Sequence, residues 1–257
     1  MNFTRVYERE EFSGDLHVQW IDCTDLKGVD CYCDGDAART IAGRMTPYSS
    51  GGIHFIDSGN YHYVSKFWTD KLKTPFSLVV FDHHPDVQPP LFDNLLSCGN
   101  WVKSVLDTNP YLRKVYIVGV AEKLIGAPNP DYEGRLTFYS DTELSREEGR
   151  KRFAEERLAG PVYISVDKDI LDIDSAVTNW DQGRLSLTGL EELLTIIMGK
   201  GRVIGVDICG ECPDFPDMSA EKRGLSVNSR TNKELINLFS SNNGIRSWTA
   251  GRSHTAG

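Results

Sequence analysis

Short apolar runs rich in Val, Ile, Phe and Tyr recur along the chain, at His17–Asp22, Ile53–Asp57, Ser77–Asp82, Lys114–Gly119, Arg135–Tyr139, Pro161–Val166 and Arg202–Ile208. Several do not alternate with polar residues, which is the pattern of strands buried on both faces. Stretches with helical spacing fall between them: Asp36–Met45, His62–Lys73, Gly99–Asp107, Arg146–Leu158, Gly189–Met198 and Asn232–Ser240. Three helix starts carry a capping box, Ser145 with Glu148, Thr188 with Glu191 and Thr231 with Glu234. In each, the hydroxyl can take a backbone N–H three residues on, and the glutamate can reach back. Strand–helix alternation predicts an α/β fold with parallel strands, right-handed crossovers and helices on both sheet faces. With no internal repeat and no linker, residues 1–257 read as a single domain. The small, polar tail 241–257 reads as a mobile end or an arm that docks on a neighbour.

Composition narrows the function. Hydrophobic content of 40% and charged content of 25% are ordinary for a globular protein. The net charge of −9 argues against a nucleic-acid partner held by phosphate contacts. No run of about 18 apolar residues is present, so no membrane partner is expected. The start, MNFTRVYEREEF, lacks the apolar core of a signal peptide, which makes the cytoplasm the default location. The six cysteines then read as free thiols. Cys31-Tyr-Cys33 and Cys209-Gly-Glu-Cys212 could form a four-thiolate zinc site. Against that, the first spacing is tight for zinc, and the second pair ends an apolar strand, where small buried cysteines are common.

Candidate chemistry sits where ligands bind in open parallel sheets, beyond the carboxyl ends of the strands. Asp82, His84 and Asp86 follow one strand as D-x-H-x-D, and Asp167 and Asp169 follow another in SVDKDILD. Residues two apart on an extended chain point the same way. His62 follows the strand IHFID, and Glu211 follows RVIGVDI. A single Asp at a strand end is usually a cap or turn residue, and a single His is usually structural. The two motifs together, each directly after a buried strand, point instead to metal. Converging carboxylates repel one another unless some stay protonated or cations intervene. Mixed oxygen and imidazole donors suit Mn, Fe or Zn. Four aspartates and two histidines fit a pair of ions about 4 Å apart with a bridging water, which becomes a nucleophile near neutral pH.

These residues resemble the arginase or ureohydrolase family, which uses a dinuclear manganese site. Its G-x-x-H motif matches Gly59-Asn-Tyr-His62, its D-x-H-x-D matches Asp82-His-His-Pro-Asp86, and its S-x-D-x-D-x-x-D matches Ser165 to Asp172. The resemblance runs from about Ile53 to Pro213. It implies that His62, Asp82, Asp86 and Asp167 hold one ion, and Asp82, His84, Asp167 and Asp169 the other, with Asp82 and Asp167 bridging. The cofactor implied is two Mn(2+) ions, with Fe, Co or Zn as substitutes. Asp86 would also orient the hydroxide. The implied fold is a three-layer sandwich around an eight-stranded parallel sheet of the arginase–deacetylase kind. The implied reaction is attack of hydroxide on a guanidinium carbon, leaving an amine and urea. His83, between two ligands, reads as structural or as a support to them.

The departures bear on substrate. The family's substrate-gripping glutamate comes three residues after the aspartate of its last motif, whereas Glu211 comes four after Asp207. A bulge at Gly210 would restore its aim. Val102 stands where a proton-relay His is expected, and Cys98 and Gln88 replace a serine and an asparagine that help hold a free amino acid's carboxylate. By the same resemblance, Glu122 in VGVAEK would be the counterpart of the acidic group that takes the α-amine. An intact metal core with an altered clamp suggests a substrate other than free arginine: an agmatine-like amine, a guanidino acid, or an arginine side chain in a peptide. Two alternatives stand beside this reading, an amide deacetylase of the same fold and a non-catalytic metal-binding relative. Deacetylases usually need one zinc and fewer carboxylates. Family members are often trimers or hexamers, so a homo-oligomer is also an expectation.

Overall fold

The computed structural model describes residues 1–241, apart from 15, 17, 93, 94 and 128. The strands are β1 (Tyr32–Cys33), β2 (Ile53–Phe55), β3 (Phe76–Phe81), β4 (Leu96–Ser97), β5 (Leu112–Val120), β6 (Leu136–Ser140), β7 (Val162–Asp167) and β8 (Val203–Cys209). The helices are α1 (Gly35–Met45), α2 (Val64–Asp70), α3 (Trp101–Thr108), α4 (Asp141–Leu144), α5 (Glu147–Glu155), α6 (Leu187–Lys200) and α7 (Met218–Ser241). Six strands form one parallel sheet in the order β2-β8-β7-β3-β5-β6. β1 and β4 pair separately and antiparallel.

Along β3, Leu78 and Val80 pack on one side of the sheet, and Val79 and Phe81 on the other. All four are fully buried, because helices cover both faces. That is why the run does not alternate with polar residues. α1, α2 and α3 supply Ile41, Trp68 and Val105 to one core. α5, α6 and α7 supply Phe153, Leu194 and Phe239 to the other. No helix among the described residues is long and apolar enough to cross a membrane.

Several expectations are corrected. The central sheet of the described residues has six strands rather than eight. The run His17–Asp22 is not a strand: His17 lies outside the described residues, and Asp22 makes only an isolated bridge to Asn2. None of the three capping boxes forms as expected. α6 is capped by Ser186, which accepts from the Gly189 N–H at 3.1 Å, and not by Thr188. Arg146 occupies the cap of α5 without a side-chain bond, and Ser145 donates back to the Thr142 carbonyl. Thr231 lies inside α7, where its hydroxyl donates to the Ser175 carbonyl.

The helix expected at Asn232–Ser240 begins at Met218 instead. Its first half escapes an apolar pattern because its buried face is polar. Asn228 and Asn232 have no exposed surface, and they find partners on facing segments. The tail expected to be mobile or to dock lies, from residue 242 onward, outside the described residues.

Candidate metal centre

From β3 the chain moves outward to β5 and β6, then returns to β7 on the opposite side of β3. Such a reversal opens a crevice at the carboxyl ends of the two strands. Phe81 pairs with Val166, so Asp82 and Asp167 leave the sheet level with each other. Asp167 pairs in turn with Cys209 at the end of β8.

His62 closes a short turn, Gly59–Tyr61, whose cap Ser58 accepts from the Asn60 N–H at 3.2 Å. Its Nδ1 lies 3.1 Å from Asp82 Oδ2, 3.2 Å from Asp86 Oδ2 and 3.5 Å from Asp167 Oδ2. Behind the ring, Nε2 meets Ser165 Oγ at 2.9 Å, and that hydroxyl donates to Asp207 Oδ1 at 2.5 Å. Ser65 donates to the same oxygen at 2.9 Å. The hydroxyl's proton is thus committed to Asp207, so Nε2 donates to it. Burial works against a charged His62, yet Cys209 and the contacts with Asp82 and Asp86 outweigh it and raise its pKa well above the ordinary value. A cation at Nδ1 would take the place of the proton held there.

A second group shares Asp82. His84 Nδ1 lies 2.8 Å from Asp169 Oδ2 and 3.6 Å from Asp82 Oδ1. The backbone N–H of His83 donates to Asp169 Oδ1 at 3.0 Å, and that of Asp169 to Asp167 Oδ1 at 3.0 Å. Asp86 adopts a left-handed backbone, φ 48°, uncommon for a residue with a side chain. Trp101 Nε1 donates to its Oδ2 at 2.7 Å.

The donor atoms form three compact, overlapping groups: His62, Asp82 and Asp86; Asp82, His84 and Asp169; and His62, Asp167 and Cys209. Burial, then the charge of Asp82, raises the pKa of Asp86 to about 7 and pushes that of Asp167 upward. Burial and the charges of Asp167 and Asp82 hold that of Asp169 well above the usual carboxylate range. Burial works against a charged His84, yet its contacts with Asp169 and Asp82 outweigh it and raise the pKa to about 12. Four carboxylates and two imidazoles are therefore gathered with more negative charge than the protein itself neutralises. That donor chemistry fits divalent cations.

The residues expected to contact substrate fare differently. Glu211 has no exposed surface and sits in the interior with both oxygens engaged. Oε1 pairs with Lys168 and accepts from Asn232 at 2.9 Å, while Oε2 accepts from Asn228 at 2.7 Å. Gly210 does turn the chain with φ 93°, but the turn seats Glu211 against Lys168 instead of aiming it at the crevice. Gln88 and Glu122 are exposed. The Gln88 N–H donates to the Gly99 carbonyl at 3.0 Å, and the Glu122 N–H to Asp141 Oδ1 at 3.1 Å. Val102 is fully buried on α3. Cys98, partly exposed, has its N–H on the Cys31 carbonyl at 2.9 Å. His83 is buried, with Nε2 3.8 Å from Asp181. No four-thiolate group forms among the described residues: Cys209 joins Asp167 at 3.1 Å, and Cys212 donates to the Asp214 carbonyl at 3.0 Å.

Three contributors lie beyond the sequence reading: Cys209 as a donor beside Asp167, Trp101 on Asp86, and Asp181, whose Oδ1 is 2.9 Å from His84 Nε2. Only Cys209 had a signal, its position at the carboxyl end of a buried strand. The others come from segments whose approach depends on tertiary packing.

Fold and donor set together define an α/β protein with a buried carboxylate–imidazole centre at its topological switch point. The pattern of the Arginase family matches residues 8–222, and the chain belongs to that family. A Thermotoga maritima protein described as uncharacterized is 35% identical over 68% of this chain and 66% of its own length, so the match spans just under two thirds of that relative. Among solved structures, the Trypanosoma cruzi formiminoglutamase with Mn2+ superposes with a TM-score of 0.61 at 13% identity, over 92% of this chain and 81% of that one. A hypothetical agmatinase from Burkholderia thailandensis gives 0.59 at 18% identity, over 86% and 70%. The proclavaminate amidino hydrolase of Streptomyces clavuligerus gives 0.57 at 16% identity, over 77% and 68%. Similarity this remote shows the shared fold.

Proposed function

We propose that the chain is a metal-dependent hydrolase of a linear amidine, with a guanidino group as the first candidate. The observation that supports this most directly is the overlap of two donor groups at Asp82. His62, Asp82, Asp86 and Asp167 would hold one ion, and Asp82, His84 and Asp169, with Asp167, the other. Manganese is the first candidate, and Fe, Co or Zn suit the same donors. Bound there, such ions supply Lewis acidity and acidify water so that it attacks near neutral pH.

The protein's own residues do the rest. Ser165 and Asp207 fix the His62 ring from behind. Trp101 holds Asp86, the group expected to orient the attacking water. Water adds at the amidine carbon, the C–N bond to the substrate amine breaks, and the amine leaves protonated with urea as co-product. A formimino substrate would follow the same course and give formamide.

Glu211 is committed to Lys168, Asn228 and Asn232, and Val102 replaces a relay His. These features favour a substrate recognised at the open rim, near Gln88 and Glu122, over free arginine gripped deep in the site. Agmatine-like amines, guanidino acids and a peptide arginine all satisfy that condition. The six unpaired cysteines suit the reducing cytoplasm.

The test is product release by the manganese-loaded protein from arginine, agmatine, guanidinobutyrate, a formimino amino acid, and an arginine peptide blocked at both ends. Urea or formamide from one of them supports the reading. Neither product from any, with the ions bound, counts for the deacetylase or the non-catalytic alternative.

A further inference from the structure

We propose that Asp181 is the outer carboxylate that sets the ring of His84 for a divalent cation, and that the segment Thr178–Gln182 is built to deliver it. This rests on the metal reading above. His84 and Asp181 are 97 residues apart, yet Nε2 and Oδ1 meet at 2.9 Å while Nδ1 faces Asp169 Oδ2 at 2.8 Å. An imidazole that offers Nδ1 to a cation must carry its proton on Nε2, and that proton needs an acceptor. Asp181 Oδ1 is the acceptor within reach of that nitrogen. It therefore does for His84 what Ser165 and Asp207 do for His62.

The segment is anchored well enough for the task. Gln182 Nε2 donates to the carbonyls of Leu171 and Ala176, each at 3.0 Å, and its Oε1 accepts from the Thr178 N–H at 3.2 Å. The next residue, Gly183, gives its N–H to the Asp169 carbonyl at 2.6 Å. A Cβ there would fall 2.3 Å from the Ile170 carbonyl oxygen, so only glycine allows the approach to the D-x-D loop. On the other side, Ser58 donates to Asn179 at 3.0 Å, and Asn179 and Trp180 both donate to Asn60 Oδ1, at 2.9 and 2.8 Å. Gly59 leaves room for this: its Cβ would lie 3.0 Å from both Trp180 Cδ1 and Asp167 Oδ2. One loop is thus fastened to the turn that carries His62 and to the loop that carries Asp169.

Asp181 keeps 59% of its side-chain surface exposed, so its loss should not disturb the core. The whole chain, stripped by chelation, is titrated with Mn2+ as wild type, Asp181→Ala and Asp181→Asn. Asp181→Ala is expected to lose about 10- to 100-fold in affinity at one of two positions. The other position and the melting temperature of the stripped protein should not change. Asp181→Asn should recover part of the loss, since an amide oxygen still accepts from Nε2. In zinc-loaded protein, the His84 Nε2–H signal in side-chain nitrogen NMR should be present in wild type and lost in Asp181→Ala.

Wild-type affinity at both positions in Asp181→Ala overturns the proposal. So does an equal loss at both positions with a lowered melting temperature, which would mark a general structural role. Wild type binding no ion overturns the metal reading itself, and this inference with it.

Discussion

Replacing Glu211 with alanine separates two accounts of this residue. Family resemblance makes it a substrate carboxylate, in which case its loss spares the fold. The structure pairs it with Lys168, both side chains having no exposed surface. After Glu211→Ala, Lys168 Nζ keeps only Asn232 Oδ1, at 3.1 Å. The amides of Asn228 and Asn232 each lose a charged acceptor as well. Removing one partner of a buried pair leaves an uncompensated charge, which costs about 3–5 kcal/mol. At roughly 2–4 °C per kcal/mol for a domain of this size, the melting temperature should drop by roughly 6–20 °C. Denaturant unfolding of the chelated protein, followed by circular dichroism, measures the free-energy change directly. Adding Lys168→Met should restore much of the loss, because an apolar side chain needs no partner there. If Glu211→Ala lost less than about 1 kcal/mol, the pair would not be holding the D-x-D loop, and Glu211 would return as a substrate residue.

Two further outcomes follow from buried groups near that pair. Glu10 is pushed up to about pKa 10, first by burial and then by the charge of Glu211. The folded state thus keeps a proton that the unfolded chain releases near pH 4.5, so stability should fall as pH rises from about 4.5 to about 10. One proton gives a slope of at most about 1.4 kcal/mol per pH unit. Glu10→Gln should flatten that slope in unfolding curves from pH 5 to 9, and an unchanged slope would exclude Glu10 as its source. Gly210→Ala places a Cβ 2.5 Å from Asp167 Oδ1 and 2.7 Å from the Lys168 nitrogen, at φ 93°. It should cost about 1–3 kcal/mol in backbone strain and weaken Mn2+ binding by displacing Asp167. Wild-type melting and Mn2+ affinity would show that the turn tolerates a side chain.

The parallel sheet was legible because its strands are covered on both sides. Leu78 to Phe81 must all be apolar, and such a run announces itself without alternation. The donor groups were legible for a related reason. Asp82, His84 and Asp86, or Asp167 and Asp169, need only local geometry at a strand end to point together. What depends on distant segments was hidden. Asp181 and Trp101 look like ordinary surface and core residues until the fold brings them to His84 and Asp86. Lys168 was hidden too: a lysine between two aspartates carries no mark of burial, yet here it turns inward and pairs with Glu211. The first half of α7 was missed because it buries asparagines, whose propensity favours turns and caps, and whose partners come from the facing segments.

The proposed hydrolase needs two cations at the carboxyl ends of β3 and β7, sharing Asp82. Equilibrium dialysis against Mn2+, with metal counted per chain by mass spectrometry, tests it directly. Two ions per wild-type chain are expected, with loss of both in Asp82→Ala. A wild-type chain holding no ion or one, or an Asp82→Ala chain still holding two, would contradict it.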